Sequence, residues 1–303
     1  MKENLQSNNH ANKLRGKLEE NVSLARYTSW KVGGVADVLF QPADLQDLQN
    51  YLQGLDASTP ITWLGRGTNV LIRDGGIRGV VIMMHNCLNQ IQINDNSSIR
   101  AEVGVSCAKL ARFSAENEQQ GGEFLAGIPG TVGGALAMNS GAYGSETWSF
   151  ITAVETLNHS GEIKMCKPEE FEIAYRSVKG LRKEWFIAAT FQFMQGDGQQ
   201  AKRTIRELLE KRNVAQPVGE NSCGSVFRNP ENDYAARLIE SCNLKGLTIG
   251  GAQISYKHAN FIINTGEASA NDIESLIIQV VETVKQDCDV KLIPEVKIIG
   301  EAV

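Results

Sequence analysis

The sequence has no long apolar run and no cysteine or histidine spacing that is typical of a disulfide framework or a metal site. No stretch approaches the about 18 consecutive apolar residues that a membrane-spanning helix needs, and the N-terminal region contains no apolar run of signal-peptide length. The six cysteines form no C-x-x-C pair, and the four histidines are scattered. These absences predict a cytoplasmic protein with free thiols, no bound metal and no insertion into a membrane.

Proline and positive charge are also scarce. Only 7 of the 303 residues are proline and 42% are hydrophobic, which argues against extensive disorder. Thirty lysines and arginines against 35 aspartates and glutamates give a net charge of -5, so no overall positive field favours nucleic acid. Glycine is abundant instead, with 29 residues, and glycine clusters where the backbone turns sharply or approaches a ligand closely.

The residue patterns predict more than one folding unit. At roughly 150 residues per domain, the length suggests about two domains. The patterns divide the chain more finely, into a flexible N-terminus over 1–21, an α/β unit over 22–85, a β-rich unit over 86–197 and an α+β unit from 198 to 296.

Apolar spacing predicts helices and strands within these units. The last helix has Ser269 before it and Asp272 three residues on, a typical N-cap arrangement. The predicted helices cover 43–55, 106–119 with Gly121 and Gly122 closing it, a segment from 198 onward with Ala201 and Ile205 on one face, and 273–284; the predicted strands cover 36–40, 61–64, 69–72, 80–83, 152–157 and 162–165.

The first glycine-rich segment is Gly65-Arg66-Gly67-Thr68-Asn69, between two apolar runs. A dinucleotide fingerprint needs glycine where Val70 stands and a helix afterwards, and a P-loop needs a Gly-Lys-Ser/Thr ending, so both patterns fail. Two interpretations stay open. The segment is either a tight hairpin turn or a turn whose amide groups, with Thr68 and Asn69, hold a phosphate.

The second glycine-rich segment is Gly127-Ile128-Pro129-Gly130-Thr131-Val132-Gly133-Gly134, and it continues through Asn139 and Gly141 to Gly144. It is too apolar for a flexible linker. Two glycine segments in different units suit a dinucleotide held between them, and the alternative is a glycine-rich packing loop without a ligand.

Seven segments in the same order resemble the UDP-N-acetylenolpyruvoylglucosamine reductases, bacterial flavoproteins that complete UDP-N-acetylmuramate in cell-wall synthesis. The resemblance runs from about Arg26 to Gly300. The segments are 27–34 (YTSWKVGG), the Gly65 turn, Gly127 to Gly144, 174–177 (AYRS), 223–230 (CGSVFRNP), 250–255 (GGAQIS) and 294–297 (PEVK).

The resemblance implies an α+β protein with a two-part FAD-binding fold of the vanillyl-alcohol oxidase (PCMH) type and an α+β substrate-binding domain. Residues 22–85 and 86–197 would form the two FAD-binding subdomains, with 297–303 as a candidate to return to the first, and 198–296 would bind the substrate. It also implies non-covalent FAD with NADPH as co-substrate. The residues implied to contact FAD are Gly65, Arg66, Gly67, Thr68, Asn69, Gly127, Ile128, Pro129, Gly130, Thr131, Gly133, Gly134, Asn139 and Gly141.

The resemblance further implies that the flavin N5 delivers hydride to the enolpyruvyl methylene carbon of the nucleotide sugar. Ser225 matches the proton donor of the family, Arg176 matches the catalytic arginine that stabilises the developing charge, and Glu295 matches the glutamate that acts with it. The implied substrate contacts are Tyr175, Asn229, Arg212, Lys257 and Asn260. Taken singly, these residues have ordinary alternatives, such as turn residues for Ser225 and Asn229 and surface or strand-end charges for the others.

The sequence departs from some members of the family in two places. Only Ser177 to Trp185 separate Arg176 from the next apolar strand, which indicates the shorter subtype that lacks an inserted tyrosine over the substrate diphosphate. Asn213 stands where the longer subtype has a substrate-binding lysine, and Arg212 is a candidate substitute. The expected partner is the small-molecule UDP-N-acetylglucosamine enolpyruvate, bound by a monomer. The alternatives are an FAD-dependent oxidase of the same fold and a catalytically inactive nucleotide-sugar binding module.

Overall fold

The computed structural model describes residues 14–303, which form helices and sheets of both parallel and antiparallel type. The described α-helices are α1 (Leu45–Gly54), α2 (Cys107–Glu116), α3 (Val132–Met138), α4 (Gly198–Ala215), α5 (Ala235–Ser241) and α6 (Ala270–Cys288). Short 3-10 helices cover Ala25–Tyr27, Glu123–Gly127, Thr147–Phe150 and Pro168–Glu170.

The strands are mostly short. They are β1 (Lys17–Ser23), β2 (Val35–Gln41), β3 (Ile61–Leu64), β4 (Val70–Ile72), β5 (Ile77–Met83), β6 (Ile91–Ile93), β7 (Ile99–Glu102), β8 (Gln119–Gln120), β9 (Gly141–Ala142), β10 (Ser145–Glu146), β11 (Ile151–Asn158), β12 (Ile163–Cys166), β13 (Glu172–Ala174), β14 (Ser177–Lys179), β15 (Glu184–Phe191), β16 (Met194–Gln195), β17 (Thr248–Ile249), β18 (Ala252–Ile254), β19 (Ile262–Asn264) and β20 (Lys297–Ile299).

The largest sheet has five strands in the order β12-β11-β15-β7-β6, and all its neighbouring pairs are antiparallel. A four-stranded sheet has the order β1-β2-β5-β3, in which β3 and β5 run parallel. Near the C-terminus, β20 pairs parallel with β4, and Lys297 lies opposite Val70. Helices and mixed sheets together confirm the predicted α+β class.

The chain forms two compact units. Unit 1 comprises the described residues up to Glu20 together with Val38–Gly65 and Gly79–Leu209. Unit 2 comprises Asn21–Asp37, Arg66–Arg78 and Glu210–Val303. The finer division into three domains that the sequence suggests stays a prediction.

The core of unit 1 packs α1, α2 and α3 against apolar strand residues. Trp148 is buried and donates its indole N–H to the carbonyl of Leu136, at 2.8 Å. This bond anchors the C-terminal end of α3, where Asn139 follows. It therefore helps to position one of the predicted site residues.

The core of unit 2 is built around α6, whose buried face follows the predicted apolar spacing. Its buried apolar residues are Ala270, Ile273, Leu276, Ile277, Val280 and Val284. The Ser269 side chain accepts the N–H of Asp272, and the Asp272 carboxylate accepts the N–H of Ser269, which confirms the predicted N-cap. No helix among the described residues combines the length and apolar character that crossing a membrane requires.

Three predicted features differ from the structure. Residues 1–13 of the predicted flexible terminus lie outside the described residues, but Lys17–Ser23 forms β1. The first described residues are anchored because the buried Asp47 carboxylate accepts the N–H groups of Arg15 and Gly16, each at 2.8 Å.

Helix α2 ends at Glu116, earlier than predicted, and Gly121 and Gly122 lie beyond its end. The side chain of Asn117 donates to the carbonyl of Phe113 at 2.8 Å, and Glu118 adopts a φ of 56°. A bonded terminal carbonyl and a left-handed residue stop the helix without glycine.

The second glycine segment contains the helix α3, which the glycine content concealed. The Thr131 hydroxyl caps it by accepting the N–H of Gly134, at 3.4 Å. A Cβ at Gly133 would lie 2.9 Å from the Cβ of the buried Val103, whereas a Cβ at Gly134 would have no neighbour nearer than 3.9 Å. Glycine at 133 thus permits close helix packing, and Gly134 has room for a side chain.

We expect Gly133→Ala and Gly134→Ala to change stability in opposite directions. The first should lower the free energy of unfolding by about 1–3 kcal/mol through overpacking. The second should raise it by about 0.5–1 kcal/mol because alanine favours the helix. Urea unfolding of the ligand-free protein measures both, and equal stabilities of the two variants would contradict this packing.

Candidate active site

The first glycine segment connects β3 to β4 and makes two close backbone approaches. Within unit 1, a Cβ at Gly65 would lie 2.9 Å from the hydroxyl oxygen of Thr131 in the second glycine segment. Within unit 2, Gly67 has a φ of 61°, and a Cβ there would lie 2.1 Å from the carbonyl oxygen of Tyr27. Strand β4 follows the segment, so the exclusion of a dinucleotide fingerprint with a following helix is confirmed.

One structural observation is compatible with FAD binding by these glycine segments. The Gly65 turn meets Thr131 where a side chain on residue 65 would collide with the threonine hydroxyl, and Gly134 in the second segment is exposed. Backbone surfaces without side chains can approach a flat ring or a diphosphate closely. Within unit 1, Gly65 and the second glycine segment thus have little side-chain bulk where they meet.

Asn139 occupies a buried, left-handed position at the end of α3, with a φ of 43°. Its side-chain amide donates to Glu146 at 2.8 Å and to the Ala174 carbonyl at 3.2 Å, and its oxygen accepts the N–H of Trp148 at 3.1 Å. Asn139 therefore joins the end of α3 to the hairpin of β13 and β14. Sequence reasoning missed Glu146, for which no motif signals a role.

Arg176 lies in the two-residue turn between β13 and β14 and has a φ of 54°. Its guanidinium donates to the carbonyl oxygens of Asn139 at 3.3 Å and Gly141 at 2.9 Å, and it lies 5.0 Å from the ring centre of Tyr175. A left-handed arginine is strained, and such strain concentrates at functional sites. Because Arg176 is half-buried and held on two sides, it is not a freely solvated surface charge.

Ser225 lies in unit 2 between Gly224 and two buried residues. Gly224 has a φ of 75°, and a Cβ there would meet no described atom within 4 Å. The next residues, Val226 and Phe227, are 1% and 2% exposed, and Cys223 before Gly224 is buried as well, so buried residues flank the Gly224-Ser225 pair on both sides. Ser225 itself is half-buried.

The segment that carries Glu295 lies directly beside the Ser225 segment in unit 2. The Glu295 N–H donates to the Val226 carbonyl at 2.7 Å, and the Arg228 N–H donates to the Ile293 carbonyl at 2.9 Å. The Asn69 side chain donates to the Glu295 carbonyl at 3.3 Å. The structure thus brings together the segments of two predicted catalytic residues and one predicted FAD contact, while Arg176 belongs to unit 1.

The predicted substrate contacts of unit 2 have different environments. Asn229 is exposed, and its side-chain oxygen accepts the N–H of Ala235 at the start of α5, at 3.1 Å. Lys257 is exposed, and its ammonium group donates to the Asn213 carbonyl near the end of α4, at 2.6 Å. A cation at this carbonyl end of a helix is electrostatically favourable.

Arg212 and Asn260 are less exposed than the alternative interpretation, a surface role, would require. Arg212 is half-buried and donates to the side chain of Gln216 at 3.1 Å. Asn260 is buried, and its side chain bonds to both backbone polar groups of Phe227. Sequence reasoning missed this contact because 33 positions separate the two residues.

Two titratable groups near the Ser225 segment are shifted by burial. Cys223 lies with its sulfur 3.6 Å from the Gly67 carbonyl oxygen and 3.5 Å from that of Val70, and burial raises its pKa to about 12. Burial also lowers the pKa of His258 below its ordinary value. Within residues 14–303, no cluster of three or more acidic, histidine or cysteine side chains has a metal-binding arrangement.

Two family models match the chain. Residues 36–167 match an FAD binding domain, and residues 216–299 match the C-terminal domain of UDP-N-acetylenolpyruvoylglucosamine reductase. The first match includes both glycine segments, and the second includes Ser225 and Glu295.

Curated proteins named UDP-N-acetylenolpyruvoylglucosamine reductase are similar over nearly the whole chain. One from Coxiella burnetii (strain Dugway 5J108-111) is 53% identical, covering 96% of this chain and 98% of its own length. One from Methylococcus capsulatus (strain Bath) is 53% identical over 95% of each chain, and one from Legionella pneumophila (strain Corby) is 52% identical over 97% of this chain and 96% of its own.

A solved structure agrees with these matches. The crystal structure of UDP-N-acetylenolpyruvylglucosamine reductase from Thermus caldophilus superposes with a TM-score of 0.80 at 29% identity, covering 94% of this chain and 99% of that one. Together, these similarities confirm the resemblance on which the sequence-based predictions rest.

We expect Cys223 to resist alkylation in the folded protein. With a pKa of about 12, only about 10⁻⁴ of its thiol is ionised at pH 8, and the thiolate is the reactive form. Iodoacetamide followed by mass spectrometry should modify the half-buried Cys288 first and Cys223 only after unfolding. Modification of Cys223 as fast as Cys288 in the native protein would contradict its buried position.

Proposed function

The chain belongs to the UDP-N-acetylenolpyruvoylglucosamine reductase family, and we propose that Ser225, Glu295 and Arg176 perform the proton transfer and charge stabilisation of its reaction. The protein is an FAD-dependent oxidoreductase with NADPH as reductant. It reduces UDP-N-acetylglucosamine enolpyruvate to UDP-N-acetylmuramate in peptidoglycan synthesis. The observation that carries the residue assignment is the backbone contact between the Ser225 and Glu295 segments.

The reaction requires two contributions from protein side chains, which are charge stabilisation and proton delivery. Bound FAD, reduced by NADPH, would supply a hydride to the enolpyruvyl methylene carbon. Negative charge then develops on the neighbouring carbon and its carboxylate, and this carbon needs a proton. Fixed cationic groups must stabilise the charge, and a positioned acid must deliver the proton.

We assign the proton delivery to the Ser225 hydroxyl. An ordinary serine is a weak acid, so its alkoxide needs stabilising neighbours. Glu295 lies on the adjacent segment, and we assign to it a role with Arg176 on the same charged intermediate. The preceding Gly224 leaves open space at the approach to Ser225.

We assign the stabilisation of the developing carboxylate charge to Arg176. Its planar guanidinium suits a carboxylate, because two N–H groups can bond to two oxygens. The carbonyls of Asn139 and Gly141 restrict its orientation before substrate binds. Such pre-organisation reduces the reorganisation that accompanies charge development.

The remaining assignments follow from the family and from the environments described above. We propose that FAD contacts the two glycine segments, and that Tyr175, Asn229, Arg212 and Lys257 contact the substrate. We also propose that the enzyme acts as a monomer in the cytoplasm. The absence of a strong positive charge is compatible with a small-molecule substrate and does not favour nucleic acid.

Ser225→Ala should separate the two half-reactions. Flavin reduction by NADPH should stay within about twofold of the wild type, because it needs no proton from Ser225. Flavin reoxidation by the enolpyruvyl substrate should slow by about 10²–10⁴-fold, the usual contribution of a positioned general acid. Anaerobic stopped-flow absorbance of the flavin band measures both rates.

Ser222→Ala is the matched control, because Ser222 is a half-buried serine three residues earlier in the same segment. It should leave both rates unchanged. Equal slowing of both half-reactions by Ser225→Ala would remove Ser225 from the proton-donor role.

Arg176→Lys should slow flavin reoxidation by about 10–100-fold while it keeps the positive charge. Lysine cannot reproduce the planar fork or the two carbonyl contacts, so the charge is less well oriented. Arg182→Lys, at an exposed position of the following loop, is the control. If Arg176→Lys matched the wild type in both half-reactions, a fork-specific role for Arg176 would be refuted.

A further inference from the structure

The side chain of Asn260 is buried and forms hydrogen bonds with the backbone of Phe227. Its oxygen accepts the Phe227 N–H at 2.9 Å, and its amide donates to the Phe227 carbonyl at 2.8 Å. The Asn260 carbonyl also accepts the Val226 N–H at 2.9 Å. One asparagine thus supplies the donor and the acceptors that a neighbouring strand would supply.

The other side of the same segment is bonded to the residues around Glu295. The Val226 carbonyl accepts the Glu295 N–H, and the Arg228 N–H donates to Ile293. Five consecutive backbone polar groups, from the Val226 N–H to the Arg228 N–H, are therefore bonded. Three of these groups are bonded to Asn260 and two to the Glu295 segment.

This arrangement controls where Ser225 lies. On its N-terminal side, Gly224 is conformationally permissive and has open space around it. On its C-terminal side, the chain is fixed between Asn260 and the Glu295 segment. The buried Cys223 is separated from Ser225 by the permissive Gly224, so the C-terminal anchor is the one attached directly to the serine.

We propose that Asn260 is a positioning residue, which holds the Ser225 segment against the Glu295 segment so that the serine hydroxyl is aligned for proton transfer. The proposal rests on the role proposed above for Ser225. The positioning role differs from the direct substrate contact that the family resemblance suggested for Asn260. A misplacement of about 1 Å at a reacting group can cost about 10²-fold in rate, so loss of this anchor should affect chemistry.

Asn260→Asp tests the proposal with nearly unchanged side-chain shape. A protonated carboxyl has one donor and one acceptor and can make both bonds to Phe227, whereas an ionised carboxylate only accepts. Burial raises the pKa of an introduced carboxyl. The variant should therefore lose the anchor at high pH and regain it as the pH falls.

The expected result is a defect in one half-reaction only. Flavin reduction by NADPH should match the wild type, and reoxidation by the enolpyruvyl substrate should be about 10–100-fold slower at pH 8, with a deficit that shrinks toward pH 6. Each rate is divided by the wild-type rate at the same pH, because His258, Glu295 and Arg228 near this position are present in both proteins. Asn260→Ala has no proton to supply, so its deficit should not depend on pH.

Asn264→Asp is the matched control. Asn264 is 6% exposed against 3% for Asn260, it lies in the same unit, and its side chain also bonds backbone groups, namely the Trp30 carbonyl and the N–H groups of Gly266 and Ala268. It should lower the unfolding midpoint to a similar extent without the pH-dependent defect in reoxidation.

A double variant shows whether Asn260 acts through Ser225. If it does, Ser225→Ala combined with Asn260→Asp should reoxidise no more slowly than Ser225→Ala alone. Three results would each overturn the positioning role. The first is a double variant whose reoxidation defect is the product of the two single defects, the second is a change confined to the KM of the sugar nucleotide, and the third is an equal defect in Asn260→Asp and Asn264→Asp. If Ser225→Ala alone had no effect, the proposed function of Ser225 would fail, and the positioning role that depends on it would fail as well.

Discussion

The part of the candidate active site in unit 2 depends on one constraint, which is that the backbone polar groups of the buried Val226 and Phe227 and of the half-buried Arg228 must be bonded. Asn260 satisfies three of these groups, and the segment before Val296 satisfies two. A buried N–H or C=O without a partner costs about 1–3 kcal/mol. The segments of Ser225 and Glu295 consequently lie together because the backbone requires it, before any attraction between their side chains is considered.

Unit 1 uses the same device around Arg176. The Asn139 side chain bonds backbone groups of Trp148 and Ala174, and the Asn139 carbonyl accepts from the arginine. In both units the side chain of a buried asparagine bonds backbone groups of segments that lie far from it in the sequence or beyond the end of its own element. Such loops can then hold reactive side chains with the rigidity that regular elements provide.

The regular elements were largely predictable because their signals are local. Helix α6 follows from its apolar spacing and from the Ser269–Asp272 cap, and β11 and β12 follow from two apolar runs around a short turn. Helix α3 was not predictable in this way, since its glycines oppose helix formation, and packing against Val103 explains Gly133 but not Gly134. Strand β1 depends on a carboxylate at Asp47, about 30 positions away.

The candidate site was predictable only through the family resemblance. Nothing in the spacing of Ser225 and Glu295 indicates that their segments pair, because 70 positions separate them. The resemblance also suggested a ligand contact for Asn260, and the structure shows that its side chain bonds Phe227 instead of lying on the surface. Long-range hydrogen bonds of this kind have no signature in a single sequence.

A crystal structure of the enzyme with FAD and the enolpyruvyl nucleotide sugar bound tests the central claim most directly. The account predicts that the Ser225 hydroxyl lies within about 3.5 Å of the carbon that receives the proton, with both Asn260 bonds to Phe227 intact. A Ser225 hydroxyl directed away from the substrate, or a productive complex in which Asn260 has released Phe227, would contradict it.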